Sequence, residues 1–514
     1  MDQFTNIPLE AGSQTLIPDI KLLPGERLTN ITSLAGRIST MPPSTLRELY
    51  RLAQAKINSE VGDFGPILAS LSSEAIGDND SAELHRYEAL FGRDSLRVAM
   101  DLLPMYPKLT RVTLLSLAEL QGLESNIKSE EELGRIIHEY RDPTDPVGQE
   151  LTKKYGWDWP YYGSVDATPE FIRVIASYCK NTKEGVTLLS QTYTDKHGSP
   201  RTMADALILA VDWVKFRMDS NPEGLIETVR NNPNGIENQV WKDSWDSYFH
   251  SDGKMADHSQ GVASIEVQRV AYDALLDAAE LYDNVLGKES EAQDLRERAT
   301  KIKEIIFDAF WTDDKNGYFV LGTDRDANST LRQLKIRASN MGHLLHSRLL
   351  EGDDPKISQR RESIIFNLFS PDMLTPSGIR TLASDEVRYR PGAYHNGSIW
   401  LWDNYLIVEG LRKHGYNKLA DNLSERLFNI VSVTKKFPEF VRGDSNEIPL
   451  LNDRVVDVWD EDNKRSNRVE QPPQEVQAWS VAAILAMRHY RASIYEREPT
   501  VVKNDFENSV LEMI

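Results

Sequence analysis

Two aspartates, Asp243 and Asp246, stand among the rings of Trp241, Trp245, Tyr248 and Phe249, with Lys242 beside them. A carboxyl group held against indole faces loses part of its hydration. That disfavours its charged form and raises its pKa, the state a general acid needs near neutral pH. Rings beside carboxylates also suit sugars, the rings covering C–H faces while the oxygens take hydroxyls. A Trp-rich helix start with solvated aspartates would read the same way here, so other stretches must decide. One of them is Phe437-Pro-Glu-Phe440, where Glu439 sits between apolar residues after a proline. A carboxylate so placed is a liability unless it is paired or used.

Further chemistry is spread along the chain. In Leu90-Phe-Gly-Arg-Asp-Ser-Leu96, Gly92 permits a close approach, and Arg93 and Asp94 form either a fork on adjacent sugar hydroxyls or an ordinary helix cap and ion pair. His138-Glu-Tyr-Arg141 is followed by Trp157 to Pro169, where four rings, Tyr162 among them, precede Asp166 and a Thr168-Pro169 helix start. Glu266 and Gln268 open another helix, either facing a pocket or lying on a surface. The stretch 388–404 gathers Tyr394, His395, Asn396, Trp400, Trp402 and Asp403 at a loop-to-helix junction, and Gln477 and Trp479 open the last long helix. His395 can serve as a directional hydrogen-bonding group or as a histidine bonded to backbone. Near His395 no pair of His at i, i+4 or matching Asp supplies further ligands, so neither a metal nor another cofactor is expected.

These residues need elements to hold them. Apolar residues recur at helical spacing over 94–104, 108–122, 169–180, 202–218, 261–284, 288–311, 339–349, 356–369, 397–413, 417–433 and 475–493, and Ser44 can cap one helix more. Long, chemically rich loops at 123–168, 221–260, 312–338, 371–396 and 435–474 alternate with short ones. That rhythm predicts an all-α chain of antiparallel hairpins with function at one end, an (α/α)6 toroid with small β-hairpins confined to loops. Residues 1–42 are expected to be an irregular extension, 43–495 a single catalytic barrel and 496–514 a tail or short last helix.

Composition narrows the partners. With 514 residues, 40% hydrophobic and 27% charged, the chain has ordinary globular values and no run of apolar residues long enough for a membrane span. The N-terminus lacks a secretory pattern, and the single cysteine, Cys179, expected in the core, suits a reducing compartment, so a cytoplasmic location is expected. A formal net charge of −20 repels nucleic acid and anionic membranes and leaves neutral carbohydrate as a fitting partner. Nothing in the sequence sets an oligomeric state.

Eight motifs taken in order resemble the amylo-α-1,6-glucosidase family, which includes the glucosidase part of glycogen debranching enzymes. They are Phe-Gly-Arg-Asp-Ser (91–95), His-Glu-Tyr-Arg (138–141), Tyr-Tyr-Gly-Ser-Val-Asp-Ala-Thr-Pro (161–169), Trp-Lys-Asp-Ser-Trp-Asp-Ser (241–247), Ser-Asn-Met-Gly-His-Leu-Leu (339–345), Tyr-His-Asn-Gly-Ser-Ile-Trp (394–400), Phe-Pro-Glu-Phe (437–440) and Gln-Ala-Trp-Ser (477–480). The resemblance implies an (α/α)6 barrel and inverting hydrolysis of an α-glycosidic bond. It makes Asp243 the general acid, with Asp246 its competitor, and Glu439 the general base. Arg93, Asp94, Tyr162, Asp166, Trp241, Lys242, Gln268, Tyr394, His395, Asn396, Trp400 and Trp479 would hold the sugar. Two departures point to a small glycoside or oligosaccharide: only about 90 residues precede the first motif, and Trp245 stands where such enzymes often have a small residue. The expected activity is therefore an α-glucosidase-type hydrolase acting on a terminal sugar. The alternatives are a debranching α-1,6-glucosidase, a sugar epimerase working through facing histidines, and an inactive carbohydrate-binding protein.

Overall fold

The structure, a computed structural model, describes residues 67–71, 87–460, 464–495 and 505–514; the extension expected over 1–42 and the helix expected from Ser44 lie outside these. Among the described residues the α-helices are α1 Gly92–Leu102, α2 Pro107–Glu119, α3 Pro146–Tyr155, α4 Ala167–Asn181, α5 Met203–Asp219, α6 Ile265–Leu281, α7 Glu289–Ala309, α8 Pro355–Leu368, α9 Leu401–Lys413, α10 Asn417–Thr434, α11 Ala478–Tyr495 and α12 Asp505–Met513. About half of the described residues lie in α-helices or in 3-10 and π turns, and the strands among them are short, paired in seven two-stranded ladders and one three-stranded sheet.

Burial sorts the helices into two classes. In α4, Phe171, Ile172, Val174, Ile175, Tyr178 and Cys179 are all buried, and in α6 burial likewise runs round most of the cylinder, as befits helices with neighbours on every side. In α7 only Ala292, Leu295, Ala299, Ile302 and Ile306 are buried, alternating three and four residues apart. That is one stripe, the mark of an outer helix. The contacts follow suit. α1 packs on α4, α4 on α6, α6 on the 3-10 segment Ser339–His346, that segment on α9, α9 on α11, and α11 back on α1. The remaining long helices lean on this closed series from outside: α2 on α1 and α4, α5 on α4, α7 on α6, α8 on Ser339–His346, and α10 on α9.

Short extended pieces lead directly into most of the inner members. Leu90–Phe91 precedes α1 and pairs with Glu139–Tyr140; Ala263–Ser264 precedes α6; Ile399–Trp400 precedes α9 and pairs with Phe440–Val441; Val476–Gln477 precedes α11 and pairs with Ser70–Leu71. Each junction fixes the direction in which the first turn of its helix points. Arg93, Asp94, Glu266, Trp402, Asp403 and Trp479 stand on these first turns, whereas Asp243, Tyr394, His395 and Glu439 lie in loops.

Two elements differ from the sequence expectation. Residues 339–349 form 3-10 turns, Ser339–His346 and Arg348–Leu350, in place of an α-helix. Gly342 there is pressed so close to α9 that a Cβ would lie 2.7 Å from Ile407 Cγ1, so packing overrides helical periodicity. α3 falls inside a stretch expected to be loop, although its signals are present: Asp145 accepts from Gly148 N, Pro146 opens the first turn, and Gly156 closes it at φ +71°. No helix among the described residues is long and apolar enough to cross a membrane.

Candidate active site

The site begins with Gly92, whose N–H donates to His138 O at 3.0 Å and where a Cβ would lie 2.0 Å from Ile137 O. Only glycine allows that approach, and it fixes the next residue. Arg93 forks onto Asp166 at 3.0 and 3.1 Å, and its Nη2 lies 3.6 Å from Asp243 Oδ2. Ser164 Oγ donates to Asp166 at 2.5 Å. Asp94 is buried beside them and accepts from Gln477 Nε2 at 3.3 Å. Burial pushes the Asp94 carboxyl up to about 7; Arg93 opposes this, while Asp243 and Asp166 add repulsion.

Glu439 enters from the other side. The Trp400–Phe440 register ties its strand to the junction before α9, and the Tyr394 ring packs edge-on against Phe440 at 5.3 Å. The Tyr394 hydroxyl donates to Glu439 Oε1, and Gln474 N donates to Oε2 at 3.1 Å. Burial raises the Glu439 carboxyl to about 7 against these two donors, with Asp94 and Asp243 adding repulsion. Glu439, Asp94 and Asp243 therefore share one electrostatic neighbourhood.

Asp243 is part-exposed, its Oδ1 4.0 Å from His395 Nδ1. Ser244 supplies both its hydroxyl, at 2.6 Å, and its N–H, at 3.3 Å, to that same nitrogen. His395 is stacked on Trp400 at 5.2 Å, and burial, together with Lys242 and Arg93, holds its pKa well below the usual histidine range. It is a neutral ring that clamps the acid loop. Asp246 has its carbonyl held by Asn396 Nδ2 at 2.8 Å, and burial raises its carboxyl while Arg388 opposes.

Of the sugar-holding set read from the sequence, Arg93, Asp94, Asp166, Tyr394, His395 and Asn396 gather round the two candidate acids. Trp241, Trp400 and Trp479 form a buried ring cluster with Trp402 behind them, Trp402 and Trp479 stacked at 4.9 Å. The indole N–H groups of Trp241, Trp402 and Trp479 are buried without a hydrogen-bond partner among the described residues. Tyr162, Lys242 and Gln268 differ: their polar ends are committed to backbone. Tyr162 donates to Leu120 O at 2.8 Å, Lys242 to Thr381 O at 2.6 Å, and Gln268 grips both Ile226 N and Ile226 O. Each sits in the core, where an unpaired polar end would be costly, so these three read as framework.

Beside Asp243 and Trp245 lies a cavity of about 250 Å³ lined by Phe91, His138, Glu139, Trp157, Arg230 and Glu237 among others. The Trp157 ring is stacked on Tyr161 at 4.0 Å, which fixes that wall. Trp245 narrows the space next to Asp243. Arg230 and Glu237, 3.4 Å apart, escaped the sequence reading. They flank the turn-forming run Asn231 to Gly235 and belong to no periodic or aromatic pattern, so only their position in the fold reveals them.

Carboxyl groups converging beside an aromatic-lined cavity on a ring of helices are the equipment of a glycosidase, and the likeness to known proteins agrees: the protein is a glycoside hydrolase. The model of the mannosylglycerate hydrolase MGH1-like glycoside hydrolase domain matches residues 186–449, a little over half of the chain, and the chain belongs to that family. Among solved structures, the GH63 mannosylglycerate hydrolase from Thermus thermophilus in complex with Tris and D-glycerate is similar at 12% identity and a TM-score of 0.56, covering 87% of this chain and 100% of that one. The same enzyme in complex with Tris gives 13%, 0.53, 86% and 99%, and in complex with glucose 15%, 0.52, 87% and 99%. At such identities the likeness is one of fold, that of a six-hairpin glycosidase family. Curated protein sequences gave no match.

Proposed function

We propose that this enzyme is an inverting α-glycoside hydrolase in which Asp243 protonates the leaving oxygen and Glu439 activates the attacking water. As the water oxygen bonds to the anomeric carbon, Glu439 takes one of its protons, the glycosidic C–O bond breaks, and the leaving oxygen receives the proton of Asp243. The observation that carries this reading is the setting of Glu439: a buried carboxyl gripped by Tyr394 and Gln474, facing the fields of Asp243 and Asp94. Arg93, bonded to Asp166, lies beside Asp243. On this reading the closed series from α1 to α11 is the inner layer of an (α/α)6 toroid, residues 43–495 are one catalytic unit, and the enzyme works in the cytoplasm.

The ordered motifs support an α-glucosidic bond at a terminal residue. Trp245 and the small cavity favour a small glycoside or oligosaccharide over a branched glucan, the substrate of an amylo-α-1,6-glucosidase. Family membership favours a second reading, an α-mannoside. An activity screen over α-glucosides, α-mannosides and limit dextrin separates these. Asp243→Asn and Glu439→Gln are each expected to lower kcat by about 10²–10⁴-fold, and near-wild-type turnover in either would remove that residue from its role. NMR of the first-formed product is expected to give the β-anomer; the α-anomer would overturn the inverting mechanism.

A further inference from the structure

The cavity beside Asp243 says what kind of group leaves. A general acid stands between the sugar ring and its leaving group, because it must reach the bridging oxygen. Asp243 lines the cavity, whereas Glu439, Asp94 and Arg93 do not line it. The cavity therefore lies on the leaving-group side. Its volume of about 250 Å³ is below the roughly 300–1,000 Å³ usual for drug-sized ligands, which suits a leaving group of about one sugar ring or less.

We infer that this cavity accepts an uncharged polyol or sugar and disfavours a carboxylate-bearing leaving group, with Glu237 as the residue that sets the preference. Two carboxylates, Glu139 and Glu237, line it beside Asp243, the group that carries the proton to be donated. Arg230 is the cation among the lining residues, and Glu237 lies 3.4 Å from its Nη2, so its charge is already answered. Glu139 accepts from Arg141 at 2.5 Å, and Arg141 is not among the lining residues. His138 cannot supply a charge: burial, with Arg93 and Arg135 adding repulsion, holds it neutral. An incoming carboxylate would meet fixed acidic oxygens with no unanswered cation among the described residues of the wall. A hydroxyl-bearing group meets acceptors it can donate to, and the rings of Phe91, Trp157 and Trp245 cover its C–H faces.

This inference rests on Asp243 being the acid, and the test keeps the two apart. Turnover of α-glycosyl fluorides reads the sugar site and Glu439 alone, because fluoride is too small to fill the cavity and leaves with little need of a proton, and a loss on glycosides but not on fluorides in Asp243→Asn reads the acid. For the sugar whose fluoride turns over fastest, kcat/KM is compared on its glycerol and glycerate glycosides, which differ only in CH2OH against COO⁻. The wild-type enzyme is expected to prefer the glycerol glycoside tenfold or more, and Glu237→Gln, by releasing Arg230, to shrink that ratio at least fivefold. Equal or better use of the glycerate glycoside by the wild type would overturn the inference. Should no fluoride turn over, the catalytic reading fails, and tryptophan fluorescence titrated with glycerol, glucose and glycerate still reads the cavity, since Trp157 and Trp245 line it. Quenching by glycerate at lower concentration than by either neutral compound would again overturn the inference.

Discussion

Glu439 is held by donors that favour its charge inside a pocket that disfavours it, and the balance stands at about 7. The Tyr394 hydroxyl is the side-chain part of that balance. Tyr394→Phe removes a donor to the carboxylate, so the pKa must rise. A base works only when ionised, so the acidic limb of kcat/KM is expected to move to higher pH by about one unit, with the plateau largely kept. A pH–rate profile checks this, and a limb that stays in place would detach Tyr394 from the ionisation of the base. At this scale the sequence was informative wherever a residue lay inside an aromatic or Gly-marked motif: Arg93, Asp94, Asp243, Tyr394 and Glu439 are all brought to one site. It was silent on Arg230 and Glu237, because two opposite charges in a polar loop look like solvated surface until the fold closes them round a cavity.

The elements converge through close backbone passes that only glycine allows. Gly397, at φ +146°, would place a Cβ 2.2 Å from Arg390 O, and Gly443 would place one 1.8 Å from Gly397 O. The first pass folds the loop bearing Tyr394, His395 and Asn396 back on itself, and the second presses it against the loop bearing Glu439. Gly397→Ala must push the backbone at Arg390 aside and deform the Tyr394 loop, with an expected loss of about 2 kcal/mol or more in stability and a larger relative loss in kcat. Gly352→Ala is the control, since Gly352 has φ +100° but nothing within 4 Å of the added Cβ, leaving backbone strain alone, about 1 kcal/mol. Thermal unfolding and turnover of the pair check this; equal effects would mean that strain, and not the close pass at Arg390, is the cost. The same tightness explains which elements could be read in advance. Long helices such as α7 announce themselves by a repeating stripe, whereas Ser339–His346 takes its tight winding from the neighbour that Gly342 touches, which no local pattern records.

For the molecule as a whole, loops and helix first turns that meet at one site concentrate carboxyl groups where burial disfavours their charge. Glu439 is raised to about 7 from an ordinary 4.5. Its folded pKa lies above the unfolded one, so between the two values the folded state binds more protons, and stability falls as pH rises through that window. The contribution is fully present below the unfolded pKa and is lost once pH passes about 7. The proposed catalytic role needs the opposite end of the same window, where Glu439 is ionised. Glu439→Gln removes the titration while keeping an acceptor for Tyr394 or Gln474. It is therefore expected to unfold at higher temperature than wild type at pH 8, by a free energy on the order of 2–3 kcal/mol. By about pH 5 most of that gain should vanish, because the wild-type carboxyl is then largely protonated. Calorimetry at the two pH values decides it. A gain of the same size at both would trace the effect to packing, and no gain at either would mean that the buried carboxylate is fully compensated by its donors, removing the conflict between stability and activity on which the expectation rests.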